Sequence, residues 1–235
     1  MKPLSMTGYL FLALFSSCTQ NTVTDAEGNI YKTVRIGSQI WTVENLRATK
    51  FNDGTPIPHV PDSIAWHSLS SSGYCYYNNS HNSDSIKMLG ALYNWYCVDS
   101  KKLVPQGWHV PTNDDWAVLE KYLIEHGHNW DRRKDGPRVA KSLAARSGWK
   151  PFEIEGTPGN NMKINNRSGF SGLPAGSRSA RFSGIGKRGY WWSATQVNES
   201  QAFVYCLAFC VESLWQYDSF NKTHGYSVRL VKDRN

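Results

Sequence analysis

A chain of 235 residues makes one ordinary domain, or a domain with a small appendage, and has enough apolar residues for a real core. Its 10 Trp and 12 Tyr, beside 19 Gly and 10 Pro, suit an irregular, loop-rich fold that buries large rings. The formal charge of +7 attracts anionic partners in general, but it is gathered in two spans, Arg132 to Lys150 and Arg178 to Arg188. Those spans read as solvated surface, and no nucleic-acid partner is expected.

The N-terminus bears on the compartment. Lys2 precedes an apolar run from Tyr9 to Phe15, followed by Ser16-Ser17-Cys18. A short basic region, an apolar core too short to span a bilayer and small residues make a secretory signal. Ser16-Ser17-Cys18 resembles the lipobox of bacterial lipoproteins, in which the Cys becomes the acylated first residue. The resemblance implies that residues 1–17 are removed, that Cys18 enters the lipid bilayer, and that residues 18–27 form a polar tether. A plain cleaved signal with a leftover thiol is the alternative.

Ile30 to Ile36 alternates β-formers with polar residues and predicts a strand; Gly37-Ser38 turns it into a second, Gln39 to Val43. Residues 51–72 predict a loop rich in Pro, Ser and Asp, and Gly73 to Asn78 a short aromatic strand. Met88 to Tyr96 has a helical stripe of Leu89, Leu92, Tyr93 and Tyr96. In Gly107-Trp108-His109-Val110-Pro111-Thr112-Asn113-Asp114-Asp115-Trp116, Thr112 predicts an N-cap, with Asp115 reaching back as the shorter relative of a capping-box Glu. Trp116, Leu119, Tyr122 and Leu123 then form one apolar stripe of a helix running to about His126. Trp108, Trp116 and His109 read as structural: packed indoles and a buried neutral imidazole. Pro137 to Ala145 predicts a further short helix.

Beyond Trp149 the pattern changes to strands and glycine-rich loops. Gly189–Thr195, Ala202–Val211, Ser213–Tyr217 and Gly225–Val231 predict strands, with a turn over Asn221–Gly225. Early helices and a late antiparallel sheet make an α+β domain, closed by pairing Ile30–Ile36 with the terminal strand. Cys75, Cys97, Cys206 and Cys210 form an even set that could pair as disulfides in three ways in an oxidising compartment. Cys206 and Cys210 lie about 13 Å apart if their segment is fully extended, so a direct bond between them needs a bend. No zinc or calcium ligand pattern is present, and no cofactor is expected.

The ordered blocks GNIYKTVRIGSQIWTVENLR, GALYNWYCV, PQGWHVPTNDDW, SGFSGLPAGSR, GYWWSATQ and GYSVRLVKD resemble the major paralogous domain of Fibrobacter succinogenes, found in secreted and lipoprotein-type proteins of Fibrobacteres and Bacteroidetes. The resemblance spans residues 28–233. It implies a C-type-lectin-like fold, with an antiparallel sheet, two or three short helices, long loops and paired terminal strands. It implies an outer-membrane or other cell-envelope location but no chemistry.

The sugar-binding Glu-Pro-Asn and Trp-Asn-Asp elements of calcium-dependent lectins do not occur; Asn129-Trp130-Asp131 has a different order. The related formylglycine-generating enzymes carry a reactive Cys pair, but Leu207, Ala208 and Phe209 make the Cys206–Cys210 segment apolar, unlike the electropositive setting such a thiol needs. The expectation is therefore a non-enzymatic binding or adhesion module for a glycan or an envelope protein. Trp215, Tyr217 and Phe220 are its candidate contacts. A secreted enzyme related to the formylglycine-generating family, or a structural part of an envelope assembly, is the rival. Asp62-Ser63-Ile64 and Asp84-Ser85-Ile86 resemble the O-glycosylation acceptor of Bacteroidetes, with Ser63 and Ser85 in predicted loops.

Overall fold

The computed structural model describes residues 21–233. In chain order the elements are β1 (Thr22–Thr24), β2 (Ile30–Ile36), β3 (Gln39–Thr42), α1 (Ser63–His67), β4 (Tyr74–Cys75), α2 (Ser83–Leu89), β5 (Leu92–Tyr93), α3 (Trp95–Asp99) and β6 (Trp108–His109). There follow α4 (Asn113–Glu125), α5 (Ala140–Leu143), β7 (Ala175–Arg178), β8 (Phe182–Ile185), β9 (Arg188–Gln196), β10 (Gln201–Ala208), β11 (Trp215–Asn221) and β12 (Val231–Lys232). One sheet has the order β1-β2-β3-β12-β6, a second β11-β10-β9-β7-β8, and β4 pairs with β5. The pairing is antiparallel except between β7 and β9, which meet in parallel at Gly176 and Gly189. This is a sheet-dominated α+β domain with few, short helices. No helix among the described residues is long and apolar enough to cross a membrane.

The hairpin forms as the alternation requires, with Ile36 opposite Gln39 across a two-residue loop. The closure differs from the expected pairing. Val231 pairs with Trp41 of β3 on one side and His109 of β6 on the other, so the terminal strand lies beside β3 and not β2. The free edge of β2 is covered by β1, from the stretch expected to be a tether. Regular pairing is limited to β12 because the preceding segment is organised around a side chain. Arg229 is fully buried and donates to Asn45 Oδ1 and to the carbonyls of Thr42, Phe170 and Ser171. Burial pushes its pKa down to about 9.

The predicted helix over Met88–Tyr96 is broken in two. Gly90 sits at φ +78°, and a Cβ there would lie 2.6 Å from Asn45 Cβ and 2.8 Å from the Leu46 carbonyl. That close approach ends α2 and lets Leu92–Tyr93 join β4 before α3 begins. The helix expected over Pro137–Ala145 shrinks to α5. The predicted strand over Ser213–Tyr217 starts later and runs further, as β11. Ser63 is the exposed first residue of α1, and Ser85 lies half-buried in the first turn of α2, so neither is in a loop.

Two aromatic clusters fill the interior. In one, Trp116 stacks on Tyr205 at 4.6 Å and meets Trp41, Phe170 and Trp191, all within 6.5 Å. The other gathers Tyr93, Trp95, Trp192 and Tyr226. The cysteines are not disulfide-bonded: Cys75, Cys97, Cys206 and Cys210 are free thiols. Cys97 Sγ instead donates to the Gly73 carbonyl and Cys206 Sγ lies on the Leu207 carbonyl.

Candidate functional site

Two clefts of similar size stand out: one of about 430 Å³ is lined by Asp233 and by Trp108, His109 and Thr112, in the stretch that the sequence singled out as structural, and the other is one that the sequence did not single out. The second forms where α4 ends. Thr112 and Asp115 close the capping box that starts this helix. At the other end the Gly127 N–H donates to the Ile124 carbonyl and the His128 N–H to the Leu123 carbonyl, which reverses the chain and delivers His128 to the surface. The buried Asn129 then folds residues 130–138 into a compact loop, donating to the Arg133 and Gly136 carbonyls and accepting from the Arg138 N–H. Trp130 stands out from this loop, 36 % exposed, with its Nε1 donating to Glu212 at 2.7 Å. A Cβ on Gly156 would fall 2.3 Å from Trp130 Nε1, so the facing loop leans its backbone directly on the indole.

Between these loops lies a cleft of about 450 Å³, lined among others by His128, Trp130, Arg132, Lys141, Asn161 and Arg167. Lys141, from α5, is its buried floor. Its Nζ donates to the carbonyls of Thr157 (3.3 Å), Asn160 and Asn161 (3.5 Å), and burial lowers its pKa. All three N–H donors are thereby engaged by the 157–161 loop. His128 Nδ1 lies 2.9 Å from Ser142 Oγ; burial and then the charge of Arg167 push its pKa down, so it is mainly neutral at pH 7. Arg132 and Asn161 both take left-handed backbone, φ 61° and 37°.

His109 occupies a different setting. Its Nδ1 lies 2.6 Å from Asp233 Oδ1 and its Nε2 2.9 Å from Asp115 Oδ2. The Asp115 bond leads in raising its pKa, against burial, so the charged form is favoured, and this half-buried residue bridges two carboxylates where a buried neutral imidazole was expected. Burial opposes ionisation of Asp115, but bonds from His109 and Thr112 win and hold its carboxyl well below the usual range. Gln39 Nε2 donates to the Asp115 carbonyl and side chain, tying the hairpin to α4. Trp108 is half-buried against the cluster of Tyr93, Trp95, Trp192 and Tyr226, whereas Trp116 is fully buried in the other.

The predicted aromatic contacts are brought onto one strand but not into one environment. Opposite Ala202 and Val204 of β10 stand Phe220 and Tyr217 of β11, so β11 has one residue more and bulges at Asp218–Ser219. The bulge returns Phe220 to the face of Tyr217. Those two rings, 5.2 Å apart, pack against the interior, while Trp215 is 39 % exposed at the edge of the sheet. Burial raises the Cys206 thiol to about 12, the Cys97 thiol to about 12 and the Cys75 thiol to about 11. Thiols held there are poor nucleophiles at neutral pH. Among the described residues no group of His, Cys, Asp and Glu side chains is arranged to hold a metal ion. Cys18 lies outside the described residues.

Compared with known families, residues 34–232 match the model of the Fibrobacter succinogenes major domain. No curated protein and no solved structure matches the chain.

Proposed function

The chain belongs to the Fibrobacter succinogenes major domain family, and from that premise we propose that it is a lipid-anchored binding module of the cell envelope, without catalytic activity, whose ligand is a glycan. The carrying observation is the Trp130 cleft, where an exposed indole, a free amide and hydrogen-bonding cations converge over a fixed floor. An indole offers the apolar faces of a sugar ring a flat wall, while its polar neighbours meet the hydroxyls. The anchor is Cys18, read from the Ser16-Ser17-Cys18 junction, on the outer membrane of a bacterial envelope. A C-type-lectin-like arrangement is supported by the N-terminal hairpin lying next to the terminal strand. The raised thiol of Cys206 favours this reading over a formylglycine-type enzyme.

The test is binding of the full-length protein to a panel of neutral and acidic oligosaccharides. Trp130→Ala is expected to lose binding while Trp215→Ala keeps it; equal binding by Trp130→Ala, or no binding to any saccharide, overturns the reading. Acylation is checked by mass spectrometry of the membrane-extracted protein, and an unmodified N-terminus at any residue other than 18 ends that part.

A second reading has its own observation. Trp215 is exposed on β11, the edge of its sheet, where a protein partner could add a strand and seat a side chain against the indole. In that case Trp215→Ala, and not Trp130→Ala, weakens partner capture.

A further inference from the structure

Resting on the glycan-binding reading, we propose that the Trp130 cleft takes an acidic saccharide, whose carboxylate is held by the guanidinium groups of Arg132 and Arg167. Lys141 is buried in the floor, yet it meets three carbonyl oxygens and no carboxylate. Its positive charge is offset by dipoles alone and contributes a positive potential to the cleft above it.

The arginines of the region divide into two kinds. Arg138 pairs with Asp131 and Asp135, each at 2.8 Å, and Arg133 lies 4.0 Å from Asp131. Arg132 and Arg167, which line the cleft, form no ion pair among the described residues, and both are exposed. Asp131 and Asp135 are thus spent on Arg133 and Arg138, which are not among the residues lining the cleft. Of the carboxylates nearby, Glu212 accepts from Trp130, and Glu155 is the one acid among the residues lining the cleft, exposed and outside any ion pair among the described residues. Three cations, Arg132, Lys141 and Arg167, thus line the cleft with one acid, Glu155, and the net positive charge favours an anion.

Geometry narrows the anion. A guanidinium presents paired N–H donors that fit the two oxygens of a carboxylate, a match stronger than a neutral hydrogen bond. Arg132 is held at φ 61°, a left-handed backbone uncommon for a long side chain, by the loop that Asn129 ties down. The observed strain fixes where this residue emerges. Trp130 supplies a flat wall that a bare inorganic anion would not use, and Asn161 adds an amide making no side-chain hydrogen bond among the described residues. A volume of about 450 Å³ suits a small oligosaccharide end.

The experiment is calorimetry on the full-length protein with trigalacturonate, its methyl ester and inorganic phosphate. The acid is expected to bind at least about tenfold tighter than the ester, a preference that shrinks as salt is raised. Arg132→Ala and Arg167→Ala should each remove most of that preference with an unchanged melting temperature, and Arg133→Ala should retain it. Equal affinity for acid and ester overturns the anionic assignment but leaves a glycan module. Binding of neither saccharide overturns both. Phosphate displacing the acid at comparable affinity, or binding when neither saccharide does, marks a site for free anions and overturns the saccharide assignment.

Discussion

Trp116 and Trp130 sit at the two ends of α4 and are used in opposite ways. Trp116 is fully enclosed by four other rings, and the polar groups beside it form a closed network: Gln39 with Asp115, Asp115 with His109, His109 with Asp233. Trp130 is partly exposed on a glycine backbone, beside Arg132 and Arg167, which form no ion pair among the described residues. One end satisfies its charges internally and gains a rigid joint between hairpin and helix. The other fixes its positions equally firmly but leaves its charges open. The difference separates residues that build the fold from residues positioned to receive something.

The largest expected effect breaks the first end. Trp116→Ala should cost about 3–5 kcal/mol in denaturant unfolding, through lost transfer energy and a cavity among rings that cannot collapse, whereas Trp130→Ala should change stability by well under half as much. Equal losses would erase the distinction. Next comes the cleft floor. Lys141→Met should cost about 1–3 kcal/mol, because it leaves the Asn160 carbonyl without its donor and takes one of two donors from the Thr157 and Asn161 carbonyls, and it should loosen residues 157–161 in hydrogen exchange. Thr112→Ala should cost about 1 kcal/mol through the lost cap.

The smallest effect is a pH dependence. His109 has its folded pKa raised above its ordinary 6.5, so its contribution is complete below that value and is lost as pH climbs through the raised one. Asp115 has its pKa depressed from 3.8, so its share is present above that value and fades as pH falls towards the depressed one. The wild-type denaturant midpoint should therefore decline as pH rises above 6.5. His109→Ala should have a lower midpoint at neutral pH and lack that decline; an unchanged midpoint would remove His109 from the joint.

How much of this was legible depended on periodicity. The α4 capping box, the Gly37-Ser38 hairpin and the strand over Gly189–Thr195 each follow from local residue order, and each forms. The helix through Gly90 failed because a backbone contact with Asn45, distant in sequence, decided the conformation. The cleft had a signal, the cluster of basic residues from Arg132 onward, but clustering alone cannot separate solvated charge from purposeful charge. Lys141 proves buried, Arg138 paired and Arg132 open, and these fates depend on which carbonyls and acids irregular loops bring near. Arg178 repeats the lesson: it lies in the second basic span yet is buried, donating to the carbonyls of Val60, Pro61 and Asp62. Buried cations capped by carbonyls leave no pattern in a sequence, because the acceptors carry no side-chain identity.

The most direct measurement is fluorine NMR of the protein labelled with 5-fluorotryptophan, each resonance assigned by a Trp→Phe variant and followed while trigalacturonate is added. The Trp130 resonance is expected to move with saturable dependence on ligand, while those of Trp41, Trp116 and Trp191 stay in place. Movement of the Trp215 resonance with Trp130 unmoved, or no movement at either position, would contradict this expectation.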